Sequence, residues 1–160
     1  MGKIKRHEQK FYKIIKNACN AKHAFSHKIS DCIGYDSIRK RSIKAKKPYD
    51  IIMTYQGYNF HTEVKYEPVE KAFSVKQLRE SQIEAFTTIS HHQNRYTIPL
   101  VVLGIYRPRE IKRMYFFQYD WLVENPLKKA DVLDLKNYLD IRKETFDLDE
   151  MLNIIYGRSI

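Results

Sequence analysis

Cysteine is scarce in this chain: there are two, Cys19 and Cys32, in 160 residues. Two thiols cannot frame a disulfide scaffold or supply a four-ligand zinc site. Glycine and proline number five each, against a hydrophobic share of 43%. This excludes a disordered or collagen-like chain and leaves enough apolar surface for a core. Long apolar runs are missing too. The longest, Ile98 to Ile105, is strand length, far short of the ~20 residues of a membrane helix. Met1 to Arg6 holds no apolar signal-peptide core, and Arg6 stands where a myristoylation signal has Ser or Thr. A P-loop, a G-x-S-x-G elbow and a dinucleotide fingerprint are all absent. These absences lead us to expect one domain over residues 1–160, cytoplasmic and reduced, with no membrane contact.

Acid is scarce in one region only. Residues 1–47 hold 14 Lys/Arg and 3 Asp/Glu, whereas residues 48–160 hold 15 and 16. The net charge of +10 therefore lies wholly in the first third. Evenly spread charge would speak for solubility, whereas charge gathered at one end points to a polyanionic partner.

Hydrophobic periodicity gives the elements. Phe11, Ile14, Ile15, Ala18 and Cys19 form one apolar stripe, so a helix is expected from about Lys5 to Ala21, with Glu8 along the stripe's edge. A short strand follows near Ala24 to Ile29. Residues 31–47 read as a basic loop or protrusion. Two strands, Asp50 to Tyr55 and Tyr58 to Tyr66, flank Gln56-Gly57, which reads as a hairpin turn. Ser74 and Gln77 fit a capping box, so a second helix is expected from Ser74, with Val75, Leu78, Gln82, Ala85, Phe86 and Ile89 on one face. Ile98 to Tyr106 and Met114 to Gln118 read as strands. Leu148, Met151, Leu152 and Ile155 form a last amphipathic stripe. The order α-β-β-β-α-β-β-α predicts a mixed α/β domain with a central β-sheet flanked by helices.

The hairpin has a chemical consequence. With Gln56-Gly57 as the turn, Ile52 faces His61 and Asp50 faces Glu63. Opposed residues have Cβ atoms only ~5 Å apart, where like charges repel. Such a pair persists when a cation sits between its members. Period 2 puts Lys65 on the face of Glu63. Two acids and an ammonium gathered this way suit Mg²⁺ or Mn²⁺, which bind through one or two carboxylates and keep several waters. The plainer alternative is a solvated strand edge.

Pro48-Tyr49-Asp50, twelve residues, then Glu63-Val64-Lys65 resembles the PD-(D/E)xK nuclease signature. A preceding helix carries Glu8, a following helix carries Gln82 in Ser81-Gln82-Ile83-Glu84, and Phe73 lies eight residues after Lys65. With the hairpin, these spacings resemble the RecU-type Holliday-junction resolvases of Gram-positive bacteria and their phages, over roughly residues 3–120. Archaeal junction resolvases share the core less closely. The resemblance implies a restriction-endonuclease-like core and a cytoplasmic, bacterial or phage-encoded homodimer. Its implied activity is paired, symmetric, Mg²⁺-dependent nicking of four-way DNA junctions, with Mn²⁺ as an expected substitute and a 5′-phosphate product. It implies Asp50 and Glu63 as metal ligands, Lys65 as the catalytic lysine, Glu8 as the supporting helix acid and Gln82 as the helix glutamine near the site. This chain differs in a shorter stretch before Asp50, and in Ser81 where the family usually has His.

Phosphate contacts are expected from Lys3, Lys5 and Arg6 on the first helix and from Arg39, Lys40, Arg41, Lys44, Lys46 and Lys47 in the loop. A solvated basic surface is the alternative. Gln82 has two readings: a buried amide satisfied by backbone, or a group orienting a ligand or water. His61 shares the face of Glu63 and could touch a phosphate. Tyr12, Tyr35, Tyr49, Tyr55, Tyr58 and Tyr66 are expected to pack with wet hydroxyl tips rather than to stack on bases. His91-His92 lacks metal-ligand spacing and reads as an exposed helix end. The rivals to a junction resolvase are a sequence- or damage-directed endonuclease and a non-catalytic basic nucleic-acid-binding module.

Overall fold

The computed structural model describes residues 2–30, 32–36, 41–45, 47–69, 71–92, 94–107, 111–128, 138–141 and 144–157; for residues 2–8, 32–36, 41–45, 107, 111 and 112 it describes the backbone. Helix α1 (Gly2–Ala21) leads into strand β1 (Phe25–Lys28). β2 (Cys32–Asp36) and β3 (Arg41–Ala45) form a hairpin of their own. β4 (Ile51–Tyr55), β5 (Tyr58–Glu67), α2 (Glu80–His91), β6 (Thr97–Arg107), β7 (Ile111–Gln118), α3 (Tyr119–Glu124), β8 (Tyr138–Asp140) and α4 (Leu148–Tyr156) follow.

Six strands build one mixed sheet in the order β1-β4-β5-β6-β7-β8. Every pairing is antiparallel except β5 with β6. That parallel step needs a crossover, and α2 supplies it. Side-chain alternation along β6 and β7 divides the core. Leu100, Val102, Met114 and Phe116 pack beneath α1 and α4, with Phe11, Ile15, Met151 and Ile155. Val101, Leu103, Tyr115 and Phe117 pack beneath α2 and α3, with Phe86 and Leu122. The domain is thus mixed α/β, with helices on both faces of the sheet. Every residue of the expected α1 stripe is buried. Helix α1 lies close because Gly104 leaves room: a Cβ there would stand 2.3 Å from the Phe11 ring. Among the described residues, no helix is long and apolar enough to cross a membrane.

One expectation needs correction. Helix α2 begins at Glu80, not at Ser74. The Ser74–Gln77 box closes a single 3₁₀ turn, Val75–Gln77, with the Ser74 amide donating to Gln77 Oε1 at 2.7 Å. Leu78 and Arg79 are then extended, and Arg79 caps α2. Within the expected basic loop or protrusion at 31–47 lies the β2–β3 hairpin. β8, which closes the far edge of the sheet on β7, is too short to leave a periodic trace.

Candidate functional site

The β4–β5 turn fixes the site. Gln56 and Gly57 both take positive φ, +48° and +82°, the conformation of a two-residue hairpin turn. Pairing runs Tyr55↔Tyr58, Ile52↔His61 and Ile51↔Thr62, the expected register. One step further, the Asp50 amide donates to Thr62 O at 2.9 Å, and Asp50 Oδ2 accepts from the Val64 amide at 2.9 Å. Asp50 is thereby locked beside Glu63, and both are 3% exposed.

Two lysines answer this charge. Lys65 Nζ lies 2.9 Å from Glu63 Oε1 and 3.4 Å from Gln82 Oε1. Lys47 Nζ pairs with Asp50 Oδ1. Lys47, expected among the phosphate contacts, thus turns inward to a carboxylate. Burial, and then the charge of Asp50, push the Glu63 carboxyl up to about 7 against the pull of Lys65. Glu63 Oε2 finds no hydrogen-bond partner among the described residues.

Gln82 is fully buried. Its Oε1 accepts from the Arg79 amide at 2.9 Å, capping α2, and also faces Lys65. Its Nε2 is buried without a partner among the described residues. The spacing Arg79-x-x-Gln82 was the available sign of this cap; a basic residue at the cap position hid it. Arg79 Nη2 donates to Lys47 O at 3.5 Å, tying the start of α2 to the segment before Asp50.

His61 lies on the Glu63 face, half-buried against Tyr49 with ring centroids 4.6 Å apart. Burial lowers its pKa. Tyr12, Tyr49, Tyr55, Tyr58 and Tyr66 are all partly buried packing residues. His91 and His92 are exposed at the end of α2. Glu8, Lys3, Lys5 and Arg6 lie on the first turns of α1, and Arg41 and Lys44 on β3, each with only its backbone described. Arg39, Lys40 and Lys46 lie outside the described residues.

Among the described residues, no group of three or more His, Cys, Asp or Glu side chains gathers as a metal cage. The donors present are two carboxylates, one with a free oxygen. That set suits a hard cation that keeps most of its water, and not a closed zinc site. A comparison with protein-family models returns no match, and a comparison with curated proteins returns no significant one.

Proposed function

We propose that the protein is a Mg²⁺-dependent, structure-selective DNA endonuclease of the RecU-type junction-resolvase kind, a homodimer on a restriction-endonuclease-like core that nicks four-way junctions. The observation that carries this reading is the locked pairing of Asp50 with Glu63, both buried, beneath Lys65 and Gln82. Burying two like charges side by side is costly, and a fold has little reason to keep the pair without a use for it.

Asp50 and Glu63 would hold the metal, with Glu63 Oε2 the oxygen least committed elsewhere. When bound, such an ion polarises a phosphate and acidifies a water. Lys65 brings a positive group to the same face, where it orients a nucleophile and steadies charge developing on the phosphate. Gln82 fixes Lys65 from the helix side, and its Nε2 can orient a further oxygen.

One observation favours a second reading. Lys47 and Lys65 already neutralise the carboxylates, as they would in a metal-free basic module that binds nucleic acid without cutting it. A labelled four-way junction, a linear duplex and a single strand, each incubated with and without Mg²⁺, separate the two. The nuclease should release symmetric nicked products from the junction only with Mg²⁺, and Asp50→Asn should abolish them while leaving junction binding largely intact. Metal-indifferent binding with no product from any substrate would establish the second reading.

A further inference from the structure

A groove of about 410 Å³ runs between α1 and β1, on the face of the sheet opposite α2. Its floor is Ile15 and Ile51, and its rim includes Tyr12, Lys13, Lys16 and Lys28. Residues 9–30 contain five lysines and no acid. The fold uses two of them elsewhere. Lys22 pairs with Asp147 and Asp149 at 3.2 and 2.7 Å, and Lys10 reaches the Tyr106 hydroxyl at 3.4 Å. Lys13, Lys16 and Lys28 are exposed and have no carboxylate partner among the described residues.

The carboxylates lie on the α2 face, since Glu63 and Lys65 pair with Val101 and Leu103, and the groove reaches them from the opposite face through Tyr12 and Lys47. Lys28 pairs in register with Ile51, the residue after Asp50. Its Nζ sits 4.4 Å from the Tyr12 ring centroid, and Lys47 Nζ sits 5.7 Å from the same ring. Lys47 in turn touches Asp50. Lys13 and Lys16, three apart on α1, share one side of the groove. Three ammoniums around one concavity repel one another, and an anion threaded between them removes that cost.

We propose that the groove between α1 and β1 is a nucleic-acid backbone site, in which Lys13, Lys16 and Lys28 hold phosphates of the strand that leads to Asp50 and Glu63. The assignment rests on the nuclease reading for the class of its ligand. Charge is its basis, so it should show itself through salt: each phosphate contact contributes about −0.9 to the slope of log K against log salt.

The test uses the full chain carrying Asp50→Asn, so that DNA stays intact, and measures junction and duplex binding across a salt series. Adding Lys13→Ala, Lys16→Ala and Lys28→Ala should weaken binding tenfold or more and make the slope shallower by about 2–3 units. Lys→Arg at the same three positions keeps the charge and should restore both, which separates charge loss from misfolding. Lys10→Ala, on the Tyr106 side of α1, should change affinity less than twofold. Unchanged affinity and slope in the triple Ala variant would overturn the groove while leaving the nuclease reading standing. Binding that is lost in the triple Ala variant, from a wild type that never cuts, would uphold the groove and remove the nuclease. A wild type that binds no DNA would overturn both.

Discussion

A carboxyl buried beside a second carboxyl resists ionising, and Glu63 is in that position. Its folded pKa, about 7, lies above the ordinary 4.5. The folded state therefore binds this proton more tightly than the unfolded chain. The contribution of this group to stability is full below about pH 4.5 and is lost as pH rises to about 7. Without metal, Glu63→Gln should remove the decline, leaving the variant more stable than wild type at pH 8, by a difference on the order of 3 kcal/mol at most. Urea titrations at pH 4.5 and pH 8 check this; a wild type whose stability is flat across that range would contradict it. Mg²⁺ should raise the melting temperature of wild type by mass action and that of Glu63→Gln much less. Equal shifts would remove Glu63 from the metal. At this scale the sequence was informative where backbone pattern decides the outcome. Asp50, Glu63 and Lys65 follow from one turn and a period of two. Lys47 did not, because its inward swing depends on a side-chain choice that spacing does not encode.

Elements were legible in proportion to their length and regularity. The apolar stripe of α1 and the β4–β5 hairpin each carry several mutually consistent signals. The start of α2 carries two competing ones, Ser74…Gln77 and Arg79…Gln82, and only packing decides between them: Leu78 is buried in an extended conformation, which parts the 3₁₀ turn from the helix. β8 is three residues long and pairs with distant β7, so nothing local announces it. The contact between α1 and β6 is testable at this scale. Gly104→Ala would drive a methyl into the Phe11 ring, which is 1% exposed and has little room to move. A loss of about 1–3 kcal/mol is expected in chemical denaturation. The same change in a Phe11→Leu background should cost less, because the obstructing ring is gone. Equal costs in both backgrounds would show that the crowding is relieved elsewhere.

The charge asymmetry of the whole molecule was readable from composition, and its placement only partly. The expected loop or protrusion at 31–47 contains a hairpin, with Arg41 opening β3. The lysines lining the α1–β1 groove were not singled out, because helical periodicity marks only the buried side of α1. If the hairpin side also tracks phosphates, Arg39→Ala, Lys40→Ala and Arg41→Ala together should weaken DNA binding and flatten its salt slope by roughly one unit per lost contact. The metal-dependent rate on saturating DNA should change less, since Asp50, Glu63 and Lys65 remain. Unchanged affinity and slope would make that segment a solvated surface.

Lys47, Asp50, Glu63 and Lys65 all belong to one stretch of chain closed by a two-residue turn. Contacts so close in sequence cost little loop entropy and can form ahead of the parallel β5–β6 pairing, which must wait for the α2 crossover. The repulsion between the two acids would then be met early, on the way up the folding barrier rather than beyond it. Stopped-flow measurements at pH 8 without metal should show Glu63→Gln accelerating refolding while the unfolding arm barely moves. A variant that changes only the unfolding arm would place closure of this hairpin after the barrier. An acid pair kept for chemistry would, on this view, set the pace at which the apoprotein folds, and a metal ion captured by the nascent hairpin would quicken it.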